Sequence, residues 1–206
     1  MKSTDGPVSR FINRRISSRI TSFIVSHSIP LTPNSVSVLS FLMALSTVPL
    51  YLLNSPISAG ILVQLSSIFD GVDGELARAT GRSSNRGAFF DTMLDRFSDV
   101  AMILGASLYL WSRTFSESTL IISFLAVSGS LLVSYLHSEG RRLLGTHPAF
   151  LGRMPQIASR DVRLFVLFIF SLLDQLFFGL LLISFLSFFY VIFKTAESLK
   201  GAEIKQ

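Results

Sequence analysis

Asp70, Asp73, Asp91 and Asp95 lie close together in a chain of 206 residues that is 50% hydrophobic and only 15% charged. A carboxylate in an apolar setting is costly unless something neutralises it, and four together either repel or protonate. Two divalent cations of the hard, oxygen-seeking kind remove that problem. The stretch holds no His, and the whole chain has no Cys, which argues against zinc and copper. Magnesium or manganese, two ions per site, is the expected cofactor.

Spacing decides which residues meet. At about 100° per residue, Asp70, Asp73, Gly74, Ala77 and Arg78 fall within an arc of about 140° on one helix. Gly87, Asp91 and Asp95, spaced by four, share one face of the next. A short loop between the two predicts antiparallel neighbours, with all four carboxylates at one depth beside it. Gly74, Ala77 and Gly87 leave room for a flat ligand, and Arg78 at the mouth suits a phosphate or diphosphate. On these residues alone three readings stand. One is a metal-dependent phosphate-handling site. Another is an acid-lined ion or solute transporter, or charges paired internally with Arg78, Arg82, Arg86 and Arg96. The third is a prenyltransferase, a membrane enzyme class that also uses Asp-rich helices and magnesium.

The elements carrying this constellation are expected to cross a membrane. Mean hydropathy is +0.56, and soluble domains carry about 25% charged residues. Residues 34–53 and 118–136 are uncharged and long enough to span roughly 30 Å of hydrocarbon. Residues 57–69 are too few alone, so the second span continues through the acidic segment to about Ala79, and the third runs from 87 to 111. Residues 164–193 contain only Asp174 and exceed one untilted span, so a break is predicted at Asp174 and Gln175. The expectation is an all-α, polytopic membrane protein: an N-terminal segment (1–31), six transmembrane helices (32–199) and a tail (200–206).

Lys and Arg gather before residue 33, in 78–86, in 139–163 and in the tail, while the opposite connections carry only Arg113. The positive-inside bias therefore puts both termini and the carboxylate site in the cytoplasm of a multi-pass protein of the cell membrane. Val8, Ile12, Ile16, Ile20 and Phe23 recur at helical spacing, which predicts an amphipathic interfacial helix on the cytoplasmic surface. A basic stretch that merely fixes topology is the alternative. Thr32 and Pro33 read as a helix start. The net charge of +5 is spread between apolar segments rather than gathered in a patch, so membrane lipid and not nucleic acid is the expected partner. The N-terminus shows no secretory-signal pattern.

The pattern Asp70-x2-Asp73-Gly74-x2-Ala77-Arg78-x8-Gly87-x3-Asp91-x3-Asp95 resembles, at every position, the signature of the CDP-alcohol phosphotransferase (CDP-alcohol phosphatidyltransferase) family. The resemblance implies a two-metal membrane enzyme that cleaves the diphosphate of a CDP-alcohol, passes the phospho-alcohol to an acceptor hydroxyl and releases CMP. It implies that Asp70, Asp73 and Asp91 ligate metal, that Asp95 is the general base and a further ligand, and that Asp73, Gly74, Ala77, Arg78 and Gly87 hold the CDP moiety. It also implies a homodimer. Arg141 and Arg160 are the candidates for an acceptor phosphate. Asp99 is expected to pair with a neighbouring polar group. His27, His137 and His147 are expected at the interface without a metal role, and Asp161 and Asp174 at helix ends or in loops. Residues 4–17 resemble the start of a narrower archaeal group, similar to di-myo-inositol phosphate phosphate synthase, that couples CDP-inositol to inositol 1-phosphate. Members of that group are often fused to a cytidylyltransferase, so a separate cytidylyltransferase is the expected supplier of the CDP-alcohol. A CDP-lipid donor, as in phospholipid biosynthesis, is the other expectation.

Overall fold

The computed structural model describes residues 6–203, and every regular element among them is helical. Thr4 and Asp5 of the N-terminal resemblance, and residues 204–206 of the expected tail, lie outside the described residues. One turn with π-type hydrogen bonding, Ser9–Asn13, leads into α1 (Arg14–Ser26). Then come α2 (Pro33–Leu52), α3 (Pro56–Ala79), α4 (Asn85–Arg113), α5 (Glu117–Leu144), α6 (Arg160–Leu172) and α7 (Leu176–Glu203).

Local chemistry sets the boundaries. Thr32 Oγ1 accepts the Ser35 amide at 3.1 Å with Pro33 in the first turn, matching its sequence signal. Ser84 and Ser116 cap α4 and α5 by accepting the amides of Gly87 and Thr119. Gly145, at φ +64°, ends α5 in the left-handed conformation. Asp174 takes φ +53° between α6 and α7, a conformation that Asp tolerates better than most residues. The break predicted at Asp174 and Gln175 is therefore a tight reversal rather than a kink.

α1 packs on α3 through its polar side. Asn13, Ser17, Thr21 and Ile24 are buried, whereas Ile12, Ile16 and Phe23 of the apolar stripe are exposed. Glu75 of α3 anchors this face: it accepts from Arg14 at 2.7 Å, Ser17 at 3.0 Å and Thr21 at 3.1 Å. Ile12, Ile16 and Phe23 thus point away from the protein, while Ile20 of the same stripe is half-buried against Ile24, Val36, Val72 and Leu76.

The helix arrangement corrects one expectation. α3 and α4 are not packed side by side along their lengths. Instead α2 packs along both, and α6 lies against α3. Serines let α2 and α3 approach closely, since Ser40 and Ser66 exchange hydroxyl-to-carbonyl bonds of 3.3 and 3.0 Å. α3 and α4 meet mainly across their acidic ends, where a close helix contact would leave no space between the carboxylates.

A core of Ala44, Tyr51, Val63, Met102, Leu167 and Leu180, among others, joins α2, α3, α4, α6 and α7. The outer surface is strongly apolar, with Phe124 71% and Phe185 61% exposed, a surface that lipid solvates and water does not. Among the described residues α2, α5 and α7 are long and apolar enough to cross a membrane. α6 rises only about 20 Å, so its first residue, Arg160, starts well inside the helical layer, level with the acids.

Candidate active site

Helical spacing delivers the carboxylates as expected. Asp70, Asp91 and Asp95 each offer an oxygen, and these oxygens lie within 4.8 Å of one another. Asp70 and Asp73 come from α3, Asp91 and Asp95 from α4. Asp70 and Asp95 are in side-chain contact across the gap, as are Asp73 and Asp91. Asp73 is buried, and its carboxylate also accepts from the Ser37 hydroxyl of α2.

Two cavities open at this cluster and share Asp73, Gly74 and Asp91. One, of about 310 Å³, is lined by Asn34, Ser37, Ala77, Arg78, Arg82 and Gly87 besides the shared residues. It gathers all the small residues that the sequence set aside for a flat ligand, with Arg78 at its rim. The other, of about 270 Å³, is lined by Asp70 and Asp95 together with Arg160, Gln156, His137 and His147. The turn before α1, through Ser9 and Asn13, and Arg14 at the start of α1 also line it.

Arg160 is the charge the sequence could only nominate. Its Nη1 lies 2.8 Å from Asp70 and 3.1 Å from Asp95, and its Nε lies 2.7 Å from Asp99. Asp99 also pairs with Arg163 at 3.3 Å and Arg96 at 3.6 Å, so its expected polar partner is a guanidinium cluster. The countercharge comes from α6, with Arg96 alone of the arginines considered for internal pairing among these contacts. Arg160 Nη2 is buried without a hydrogen-bond partner. Arg141, the other candidate for an acceptor phosphate, is exposed near the end of α5 and does not line the cleft.

Five acids (Asp70, Asp73, Asp91, Asp95 and Asp99) face three paired guanidiniums (Arg96, Arg160 and Arg163). The surplus of negative charge, the all-oxygen donor set and the short oxygen separations fit hard divalent cations. They do not fit zinc or copper, which prefer nitrogen and sulfur.

Two placements differ from the sequence reading. His137 and His147 line the cleft, with ring centroids 4.6 Å apart, because the segment between α5 and α6 folds back over the carboxylates. Their spacing carries no motif, so only the tertiary fold reveals them. The polar stripe Asn13, Ser17 and Thr21 also went unread, although its four-residue spacing opposite the apolar stripe was a usable signal. Asn13 accepts from Gln64 at 2.8 Å and donates to Ser67 at 3.0 Å, which fixes the N-terminal turn at the cleft. Asp161 stands in the first turn of α6 and accepts the Ser9 amide at 2.6 Å.

Residues 30–190 match the sequence profile of a family described as CDP-alcohol phosphatidyltransferase. The chain is 45% identical over 163 residues to a bifunctional IPC transferase and DIPP synthase of Rubrobacter xylanophilus, covering 79% of this chain but 36% of that protein. It spans little more than a third of the length of such bifunctional relatives. Against an archaetidylinositol phosphate synthase of Pyrococcus horikoshii the identity is 32%, over 86% of this chain and 88% of the relative. The fold resembles that of the phosphatidylinositol phosphate synthase of Mycobacterium tuberculosis solved with CDP-DAG bound, with a TM-score of 0.75, 20% identity, and 89% and 94% of the two chains covered. A second structure of that mycobacterial enzyme, in complex with manganese and citrate, gives a TM-score of 0.73 at 20% identity, covering 91% of each chain.

Proposed function

Because the chain belongs to the CDP-alcohol phosphatidyltransferase family, we propose that it transfers a substituted phosphate from a CDP-alcohol to an acceptor hydroxyl and releases CMP. The observation that carries this reading is the pair of cavities meeting at one set of carboxylates. A donor in one and an acceptor in the other would touch only at the acids.

Asp70, Asp73, Asp91 and Asp95 would hold two divalent cations, magnesium or manganese. Bound there, such ions neutralise the diphosphate and stabilise the departing CMP. The chain supplies the rest. Gly74, Ala77 and Gly87 make the flat space for the cytidine, and Arg78 meets the diphosphate at the rim. Asp95 takes the proton of the acceptor hydroxyl as the new P–O bond forms and the bond to the CMP oxygen breaks. Arg160, with Nη2 unpartnered, is the residue to receive an acceptor phosphate in preference to Arg141.

The named relatives share inositol-containing products, which supports inositol 1-phosphate as acceptor. The resemblance of residues 4–17 to the narrower archaeal group supports CDP-inositol as donor, and the nearly full-length archaetidylinositol phosphate synthase match supports a CDP-lipid. In the same reading α2–α7 are the six membrane helices within residues 32–199, with the short α6 continued to the cytoplasmic surface by the segment before it, and they are flanked by the segments 1–31 and 200–206. α1 lies in the cytoplasmic interface with its exposed apolar stripe in lipid, and both termini are cytoplasmic. A homodimer and a separate cytidylyltransferase that makes the CDP-alcohol complete the picture.

The test is CMP release by the purified protein in detergent with magnesium. Release that requires both a CDP-alcohol and inositol 1-phosphate supports the reading. Solute movement across sealed vesicles with no nucleotide consumed would make it a transporter, and prenyl transfer without CMP would make it a prenyltransferase.

A further inference from the structure

The cleft that Asp70 and Asp95 line also contains a pair of imidazoles, His137 and His147, for which the reaction above assigns no task. His147 Nδ1 accepts the Ala149 amide at 3.1 Å. Burial, together with the positive charge of Arg141 and Lys194, pushes His147 down to about 4. A neutral imidazole that accepts at Nδ1 carries its proton on Nε2, so this ring has one N–H left to donate. His137 stands 4.6 Å behind it, centroid to centroid, and is itself held by the Tyr190 hydroxyl of α7 at 3.0 Å from Nε2.

The segment that presents His147 is fastened in place. Lys194 of α7 is fully buried, and its ammonium donates to the carbonyls of Leu151 at 2.6 Å and Met154 at 3.3 Å. It also pairs with Glu197 at 2.8 Å. Glu197 in turn accepts the amides of Arg153 and Met154. Gly152, at φ +80°, allows the close approach, since a Cβ there would run into the Glu197 side chain. A buried lysine spent on backbone carbonyls costs desolvation, and its effect is to fix the position of a connection that could otherwise have been a loose loop.

We propose that His147 is an acceptor-binding residue, donating Nε2–H to an oxygen of the acceptor, with His137 fixing the ring and the Lys194–Glu197 pair fixing the segment that carries it. The inference rests on the proposed reaction, since it assigns the cleft of Asp70, Asp95 and Arg160 to the acceptor. Neither histidine lines the cavity of Gly74, Ala77, Arg78 and Gly87, so donor binding is not their task. The oxygen belongs to a phosphate or to a ring hydroxyl, and two acceptors separate these sources.

The experiment uses the full chain in detergent with magnesium, a CDP-alcohol donor, and inositol 1-phosphate or glycerol 3-phosphate as acceptor. His147→Ala should raise the acceptor KM about tenfold, a loss of about 1.4 kcal/mol, with kcat little changed and the affinity for CDP unchanged. A rise for both acceptors marks a phosphate contact, and a rise for inositol 1-phosphate alone marks a ring hydroxyl. His147→Gln, which keeps an N–H donor at similar reach, should recover most of the loss. His137→Phe should show a smaller rise in the same parameter. An unchanged acceptor KM in a His147→Ala protein that binds CDP normally overturns the assignment. So does a KM rise matched by an equal loss of CDP affinity, the mark of general loosening. Wild-type protein that releases no CMP with either acceptor overturns the proposed reaction itself, a failure visible before any variant is made.

Discussion

Arg160 stands almost equally close to Asp70 and Asp95, yet the two acids are assigned different work, and substitution separates them. Asp95→Asn should lower kcat about 10²- to 10⁴-fold, the usual worth of a general base, while CDP still binds in the presence of magnesium. Asp70→Asn should weaken CDP binding as well, because it removes a metal ligand. Equal loss of CDP affinity in both variants, measured by calorimetry, would make Asp95 chiefly a ligand. Gly74→Leu tests the cavity at its narrowest shared point. It leaves all four carboxylates in place and improves helix propensity, and CDP affinity should fall at least about tenfold, or about 1.4 kcal/mol. Native affinity in a folded Gly74→Leu protein would put the nucleotide elsewhere. At this scale the sequence was most legible, since Asp70, Asp73, Asp91 and Asp95 are neighbours by spacing alone. Arg160 is 61 residues from Asp99, and no local period reports a pairing at that range. His147 was unreadable for the same reason.

Helix faces were legible and helix neighbours were not. The caps at Thr32, the break at Asp174 and the apolar stripe of α1 follow from local rules. That α2 packs along both α3 and α4 follows from Ser40, Ser66 and other small residues at contact points, whose role depends on partners that the sequence does not name. The contact of α3 with α6 matters most to the site, because α6 begins with Arg160. A Cβ on Gly60 would sit 2.5 Å from the Ser171 Cβ and 3.1 Å from the Phe168 carbonyl oxygen. Gly60→Val should therefore force α3 and α6 apart and cost about 1–3 kcal/mol, the usual price of overpacking. The expected reading is a lower midpoint of thermal unfolding in detergent, with CDP affinity in the folded fraction preserved. An unchanged midpoint would mean that α6 shifts without strain.

For the whole molecule the charge asymmetry predicts an orientation that chemistry can read directly. The chain has no Cys, so single introduced thiols report cleanly. Ser83→Cys, in the α3–α4 loop, should react with a membrane-impermeant maleimide only from the cytoplasmic side. Ser116→Cys, at the start of α5, should react only from the other side. The reverse pattern would invert the orientation. Metal dependence would also be a property of the assembled site, since α3 and α4 each supply only part of the proposed ligand set. Excess chelator should abolish CMP release, and magnesium or manganese should restore it, whereas undiminished turnover in chelator would mean that the acids work through the protein's own partners, Arg160 among them.

The two cavities share only Asp73, Gly74 and Asp91, and that geometry has a kinetic consequence. In the proposed reaction each reactant would have its own doorway, so neither would have to leave before the other enters. The phospho-alcohol would then pass from one to the other inside a ternary complex and never be parked on the protein. Double-reciprocal plots against one substrate at fixed levels of the other should intersect rather than run parallel. Radiolabelled CMP should not exchange into the CDP-alcohol when the acceptor is withheld. Such exchange would instead require a covalent stopover on a side chain.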